Sequence, residues 1–298
     1  MPYAITDDGV ELYYEEAGSG HALIFVHEFA GDWRSWEPQM RFFSRYFRCV
    51  TFSARGYPPS MVPEDVSRYS QARARDDVIA VLDHLKIDRA HVVGLSMGGF
   101  ATLHVGITYP ERVRALVIAG CGYGAKPGMK QQFHDEIETS AALFDQEMAQ
   151  AAKRYTISPN RVPYQNKDPR GWAEFARQME DHCALGSANT LRGVMKERPA
   201  LWELVEEMQR MTVPALIVCG DEDEACLEPS LLMKRAIPSA GLLVVPRAGH
   251  TNNLEDTEVF NRALLDFFTA VELGRWGLRD PRSTKPGLLI EPKDQAPR

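Results

Sequence analysis

The sequence predicts an α/β fold, a doubly wound, mostly parallel sheet interrupted by a helical insertion, and three observations carry that prediction. Short apolar runs alternate with helical patterns along most of the chain. A serine stands between glycines in Gly94-Leu95-Ser96-Met97-Gly98-Gly99, with a strand pattern before it and a helix pattern after it. Strand signals then vanish from about residue 124 to residue 211 and resume beyond.

Taken in order, residues 10–15 read as an edge strand, 22–26 as a buried strand, 33–46 as an amphipathic helix and 48–52 as a further strand. A helix follows at 69–85. The strand of Ala90-His91-Val92-Val93 leads into the serine turn and the helix from Phe100, and 113–119 form the next strand. This succession requires parallel strands joined by helical crossovers. Residues 124–211 are helical and polar, broken at Ser158-Pro159-Asn160-Arg161-Val162-Pro163. Strands return at 213–219 and 242–245, and a helix over about 254–268 closes the pattern. The expected organisation is a core of residues 1–123 and 212–270, a helical lid over 124–211, and a tail over 271–298.

Composition narrows the partners. The 298 residues are 44% hydrophobic and carry a formal net charge of -7, with no basic stripe to neutralise phosphates, so a small-molecule partner is expected and no nucleic acid. No segment has the length and apolarity of a membrane span or the pattern of a secretory leader, which sets the expectation of a cytoplasmic protein without a membrane partner. The cysteines Cys49, Cys121, Cys183, Cys219 and Cys226 are scattered and odd in number, without C-x-x-C spacing. They read as reduced, mostly buried residues and give no metal site.

Ser96 is the candidate nucleophile, because a sharp strand-to-helix turn with small flanking residues lifts its Oγ above the sheet. Four further segments match in order. Phe25-Val26-His27-Glu28-Phe29-Ala30-Gly31 looks like a His-Gly loop, and Ser53-Ala54-Arg55-Gly56-Tyr57 is similar to an Asp-x-Arg-Gly turn. Val213 to Asp223 and then Ala248-Gly249-His250 look like the strands and loops that present an acid and a histidine. Over about residues 9 to 270 the chain therefore resembles the α/β-hydrolase superfamily.

That resemblance implies a Ser-His-Asp triad of Ser96, Asp223 and His250, with Asp221 the rival acid, and an oxyanion hole made by the backbone amides of Phe29 and Met97. It implies no metal and no cofactor. His27 is expected to anchor its loop. Glu28 departs from the family's glycine, either straining the loop, facing solvent, or placing a carboxylate that disfavours anionic acyl groups. The aromatic and methionine side chains of the insertion, Phe133, Phe144, Met148, Trp172, Phe175, Met179, Met195 and Trp202, suit a lid core or an acyl pocket.

The function implied is hydrolysis of a carboxylic ester or lactone through an acyl-enzyme. Two alternatives stay open: a C–C bond hydrolase of ring-fission products, whose family usually has Trp where Thr251 follows the histidine, and a small-molecule receptor with little turnover. The tail, with its apolar Leu288-Leu289-Ile290, is expected to be dispensable for chemistry and to dock as an arm on its own core or on a second subunit of a homo-oligomer.

Overall fold

The computed structural model of the protein describes residues 2–122, 124 and 127–285. Among them run eight strands: β1 (Tyr3–Ile5), β2 (Glu11–Ala17), β3 (Ala22–Val26), β4 (Arg48–Phe52), β5 (Ala90–Leu95), β6 (Val113–Ala119), β7 (Ala215–Gly220) and β8 (Ala240–Val245). They form one sheet in the order β1-β2-β4-β3-β5-β6-β7-β8. β2 is antiparallel to both β1 and β4, whereas β4, β3, β5, β6, β7 and β8 are mutually parallel. The α/β fold and its mostly parallel sheet are as the sequence predicts.

Because successive side chains of a strand alternate in direction, the continuous apolar runs of β3, β5 and β6 serve two cores. Leu23, Phe25, Val93, Leu95 and Val117 pack on Trp36, Phe43, Phe260 and Phe268 on one face. Ile24, Val26, Val92, Leu116 and Ile118 pack on Val78, Leu82, Phe100 and Leu103 on the other. Helix Gln71–His84 covers the second face, with Ser70 capping its start through the amide of Arg73.

Two elements differ from expectation. β1 forms the sheet edge, so the strand expected there lies one place inside; three residues carry too little alternation to be recognised alone. The helix expected over 33–46 is a 3₁₀ turn, Trp33–Trp36, followed by helix Glu37–Phe43. Pro38 explains the break, since it suits a first helical turn and not an interior.

Between β6 and β7 the described residues contain helices and no strand, among them Lys130–Gln146, Met148–Thr156, Val162–Lys167 and Pro169–Glu180. Their apolar faces meet Phe29, Tyr57 and Met97 above the carboxyl ends of the strands, forming a third apolar cluster. Beyond helix Thr257–Glu272, the Trp276 indole donates to Ser239 O at 2.8 Å and the Arg279 amide donates to Pro238 O at 2.9 Å. The segment around Trp276 and Arg279 thus lies on its own core. The apolar run expected to act as an arm, Leu288-Leu289-Ile290, lies outside the described residues.

Two fully buried histidines tie stability to pH. His27 and His91 are both pushed down to about 4, chiefly because burial penalises the charged ring; for His91, Glu272 at 2.8 Å opposes that effect only in part. An unfolded histidine, near 6.5, takes up its proton first, so the stability these residues provide is complete above that value and is lost as pH falls towards 4. Each contributes a slope approaching about 1.4 kcal/mol per pH unit in that window. The urea midpoint is expected to fall between about pH 7 and about pH 5. A midpoint that stays level across this range contradicts the reading of these rings as buried and neutral.

Candidate active site

Ser96 occupies the turn between β5 and helix Met97–Thr108, at φ 56° and ψ −113°. The position is held from both sides: the Ser96 amide donates to Ala119 O at 2.8 Å, and Ser96 O accepts from the Phe100 amide at 3.0 Å. The glycines around it are needed for close approach. A Cβ at Gly94 would run into Gly98 O and the Thr102 hydroxyl, and one at Gly98 into the carbonyls of Val26 and His27. So the glycine spacing lets strand, helix and the preceding loop converge beneath one half-buried serine.

His250 follows β8 in a loop pinned at several points. Glu255 accepts from the amides of Gly249 (2.6 Å) and Thr251 (3.0 Å) and from the Thr251 hydroxyl (2.9 Å). The His250 amide donates to Asn160 O at 3.1 Å. The amides of Asp221 and Glu222 donate to Val245 O and Ala248 O, which fastens the acid-bearing turn to the same loop. A side chain at Gly220 would strike the carbonyls of Ala248 and Gly249, so a glycine is required where these two turns cross.

Of the two rival acids, Asp223 is the one beside the histidine. Its Oδ2 lies 2.7 Å from His250 Nδ1, and both side chains are almost entirely buried. Asp221 is exposed. Burial pushes the Asp223 carboxyl up, but the facing His250 ring, the Cys226 thiol and the Arg161 cation together outweigh it and hold the carboxyl below its ordinary value. An ionised Asp223 accepts from Nδ1–H, which leaves the His250 Nε2 lone pair free to take a proton. Ser96 and His250 line one cavity of about 550 Å³.

The expected oxyanion donors sit at the same end. Met97 begins its helix, so its amide has no intrahelical acceptor. The Phe29 amide donates to no acceptor among the described residues. His27 anchors the Phe29 loop: its Nε2 accepts from the Ala54 amide at 2.9 Å, which leaves Nδ1–H to donate to Glu28 O at 2.7 Å.

Glu28 requires a correction on each expectation held for it. Its backbone is outside the left-handed region, so the loop escapes the strain, and its side chain is buried away from solvent. Nor is it a naked charge at the cavity. Arg161, from the turn Pro159–Arg161, forms a bidentate pair with it, Nη1 meeting Oε1 at 2.9 Å and Nη2 meeting Oε2. The signal available in the sequence was the conjunction of a glutamate in an otherwise apolar loop with an arginine in the Pro/Asn break.

The remaining cavity wall comes largely from the insertion, including Ile137, Phe144, Tyr155, Leu191 and Met195. Of the eight aromatic and methionine side chains singled out in the sequence, Phe144 and Met195 reach this cavity. Phe175 and Met179 pack within the insertion and Trp202 packs on the main core. Arg198, which the sequence reading passed over, also lines the cavity, buried, with its guanidinium carbon 3.7 Å from the centroid of the Phe100 ring. Burial pulls its guanidinium down to about 10, so it stays cationic at neutral pH. Asp223, Cys226 and His250 are also near enough to share an ion, their ligand atoms lying within 4.8 Å of one another, but burial, followed by Asp223, holds the Cys226 thiol well above its ordinary value and protonated. A protonated thiol is a poor ligand, so this donor set fits an acid–base pair better than a metal site.

A serine at positive φ on a strand-to-helix turn, sharing a cavity with a histidine backed by a buried carboxylate on a doubly wound sheet, defines a class, and the sequence model of the alpha/beta hydrolase fold matches residues 21–257. The chain belongs to the alpha/beta hydrolase fold family. It is 27% identical over 264 residues to 3-oxoadipate enol-lactonase 2 of Acinetobacter baylyi, covering 87% of this chain and 94% of that one. To the 2-hydroxy-6-oxononadienedioate/2-hydroxy-6-oxononatrienedioate hydrolase of Burkholderia vietnamiensis it is 29% identical over 276 residues, covering 88% of this chain and 93% of that one. The crystal structure of the enol-lactonase from Burkholderia xenovorans LB400 shares the fold, with TM-score 0.76 and 23% identity over 90% of this chain and 100% of that one. No helix among the described residues is long and apolar enough to cross a membrane.

Proposed function

We propose that the protein is a serine hydrolase of a small carboxylic ester or lactone, working through an acyl-enzyme on Ser96. The observation that carries this reading is that Ser96 and His250 line one cavity, with Asp223 Oδ2 2.7 Å behind the histidine. Ser96 Oγ attacks the carbonyl carbon as His250 Nε2 takes its proton. The negative charge that develops on the carbonyl oxygen is met by the amides of Phe29 and Met97, the electrostatic term that contributes most in such reactions. Collapse breaks the ester bond, and the His250 proton passes to the departing alkoxide. Water then gives a proton to His250, attacks the acyl carbon and releases the carboxylic acid, returning the proton to Ser96.

The helices between β6 and β7 act in this reading as a lid that supplies the acyl pocket. Arg198 gives that pocket one buried cation, and the similar enol-lactonase and oxononadienedioate hydrolase are named for substrates that carry carboxylates. The preferred substrate therefore bears an anionic group on its acyl side. Arg198→Met is expected to lower kcat/KM for an ester of a dicarboxylic half-acid by about tenfold or more, while a neutral ester of equal length changes only a few-fold. Equal losses on both esters contradict this assignment.

The reading as a whole is tested with simple aryl esters and a serine-directed phosphonate. Multiple turnovers, stopped by stoichiometric phosphonylation of Ser96, are expected. Labelling without turnover would point to a receptor of the same fold.

A further inference from the structure

Resting on the hydrolase reading above, we propose that Glu28 and Arg161 are positioning residues: their buried ion pair sets the Phe29 amide against the base-bearing loop, so docking of the helical segment completes the oxyanion hole.

Four observations converge on this pair. Glu28 immediately precedes Phe29, and its carbonyl accepts from His27 Nδ1 and from the Gly31 amide at 3.1 Å, so the residue is fixed at its backbone as well as at its carboxylate. Arg161 is completely buried, its guanidinium carbon 5.5 Å from the Tyr155 ring centroid and 5.2 Å from that of Phe175. The Phe29 ring itself contacts Phe144 and Tyr155 at 5.4 and 5.3 Å between centroids. Finally, Asn160, adjacent to Arg161 in the chain, supplies the carbonyl that receives the His250 amide at 3.1 Å. One short turn of the insertion thus grips the candidate oxyanion loop through a side chain and the candidate base loop through the backbone.

Charge makes that grip specific. Burial opposes the Arg161 cation, yet Glu28 beside it keeps the guanidinium charged, and the same cation favours the ionised forms of Asp223 and Glu255. A planar fork on a carboxylate fixes direction as well as distance, which a lysine cannot reproduce. Where the resembling family has a glycine that needs no partner, this chain has a side chain that fixes the loop only when its partner is docked.

The test uses the full chain and compares wild type with Arg161→Lys and with the charge-neutral double variant Glu28→Gln/Arg161→Met, each checked for folding by thermal melt. An aryl ester gives kcat and KM, and a trifluoromethyl ketone, which forms an anionic adduct with a serine nucleophile, reports on the hole directly. The expected result is a fall in kcat of about tenfold to a hundredfold with KM changed only a few-fold, and a loss of ketone affinity by the same factor as kcat/KM. A folded double variant with wild-type kcat overturns the inference, as does a fall in kcat with unchanged ketone affinity. Should the double variant fail to fold, Arg161→Lys decides by the same criteria. Wild-type protein that neither hydrolyses the ester nor binds the ketone overturns the hydrolase reading itself, a result distinct from turnover that survives in the variants.

Discussion

Replacing Ser96 with alanine is expected to remove ester turnover, lowering kcat by about 10⁴-fold or more. The substitution deletes one hydroxyl from a half-buried position whose hydrogen bonds, to Ala119 O and from the Phe100 amide, are made by backbone atoms, so the fold survives. Its melting temperature should stay within a few degrees of wild type. The purified variant is checked with an aryl ester at saturating concentration, against heat-inactivated protein as the blank. Retained turnover of the wild-type order would remove Ser96 from the mechanism.

The acid provides the second large effect. Asp223→Asn puts an amide opposite His250 Nδ1, and an amide nitrogen facing that position stabilises the tautomer with its proton on Nε2, where it cannot accept from Ser96. A fall in kcat of about 10³- to 10⁴-fold is expected. Asp221→Asn serves as the comparison, because Asp221 is exposed and its hydrogen bond to Val245 O is made by the backbone amide, which the substitution leaves in place. It should cost no more than a few-fold. Equal effects of the two substitutions would contradict the arrangement of this turn.

Much of the fold was legible because its strongest signals are local. β3 and β6 coincide with their apolar runs, since a strand buried on both faces cannot dilute its hydrophobicity. The turn at Ser96 was legible for another reason: Gly94 and Gly98 answer to backbone approaches that exclude any side chain. Weaker elements escaped. Helix Glu224–Ala236 carries Pro229 in its interior, and the sequence pattern places no helix between the strands at 213–219 and 242–245.

The pairings around the site were less legible than the residues. That Asp223 and not Asp221 meets His250 depends on how the turn after β7 is tied to Val245 and Ala248, contacts that no local pattern encodes. Glu28 and Arg161 are 133 positions apart, and neither residue alone points to the other. Arg198 was hidden in a polar stretch, since the burial that makes it notable arises from packing on Phe100. Long-range complementarity of this kind needs the folded chain.

An acyl-enzyme on Ser96 can be trapped. A slowly released ester is mixed with wild-type protein, quenched in acid during the steady state, digested and analysed by mass spectrometry. The acyl mass is expected on the peptide that contains Ser96, rising with the burst of alcohol release and decaying at the rate of acid release, with none in Ser96→Ala. Sustained turnover with no adduct on Ser96, or with the adduct on another residue, would contradict an acyl-enzyme there.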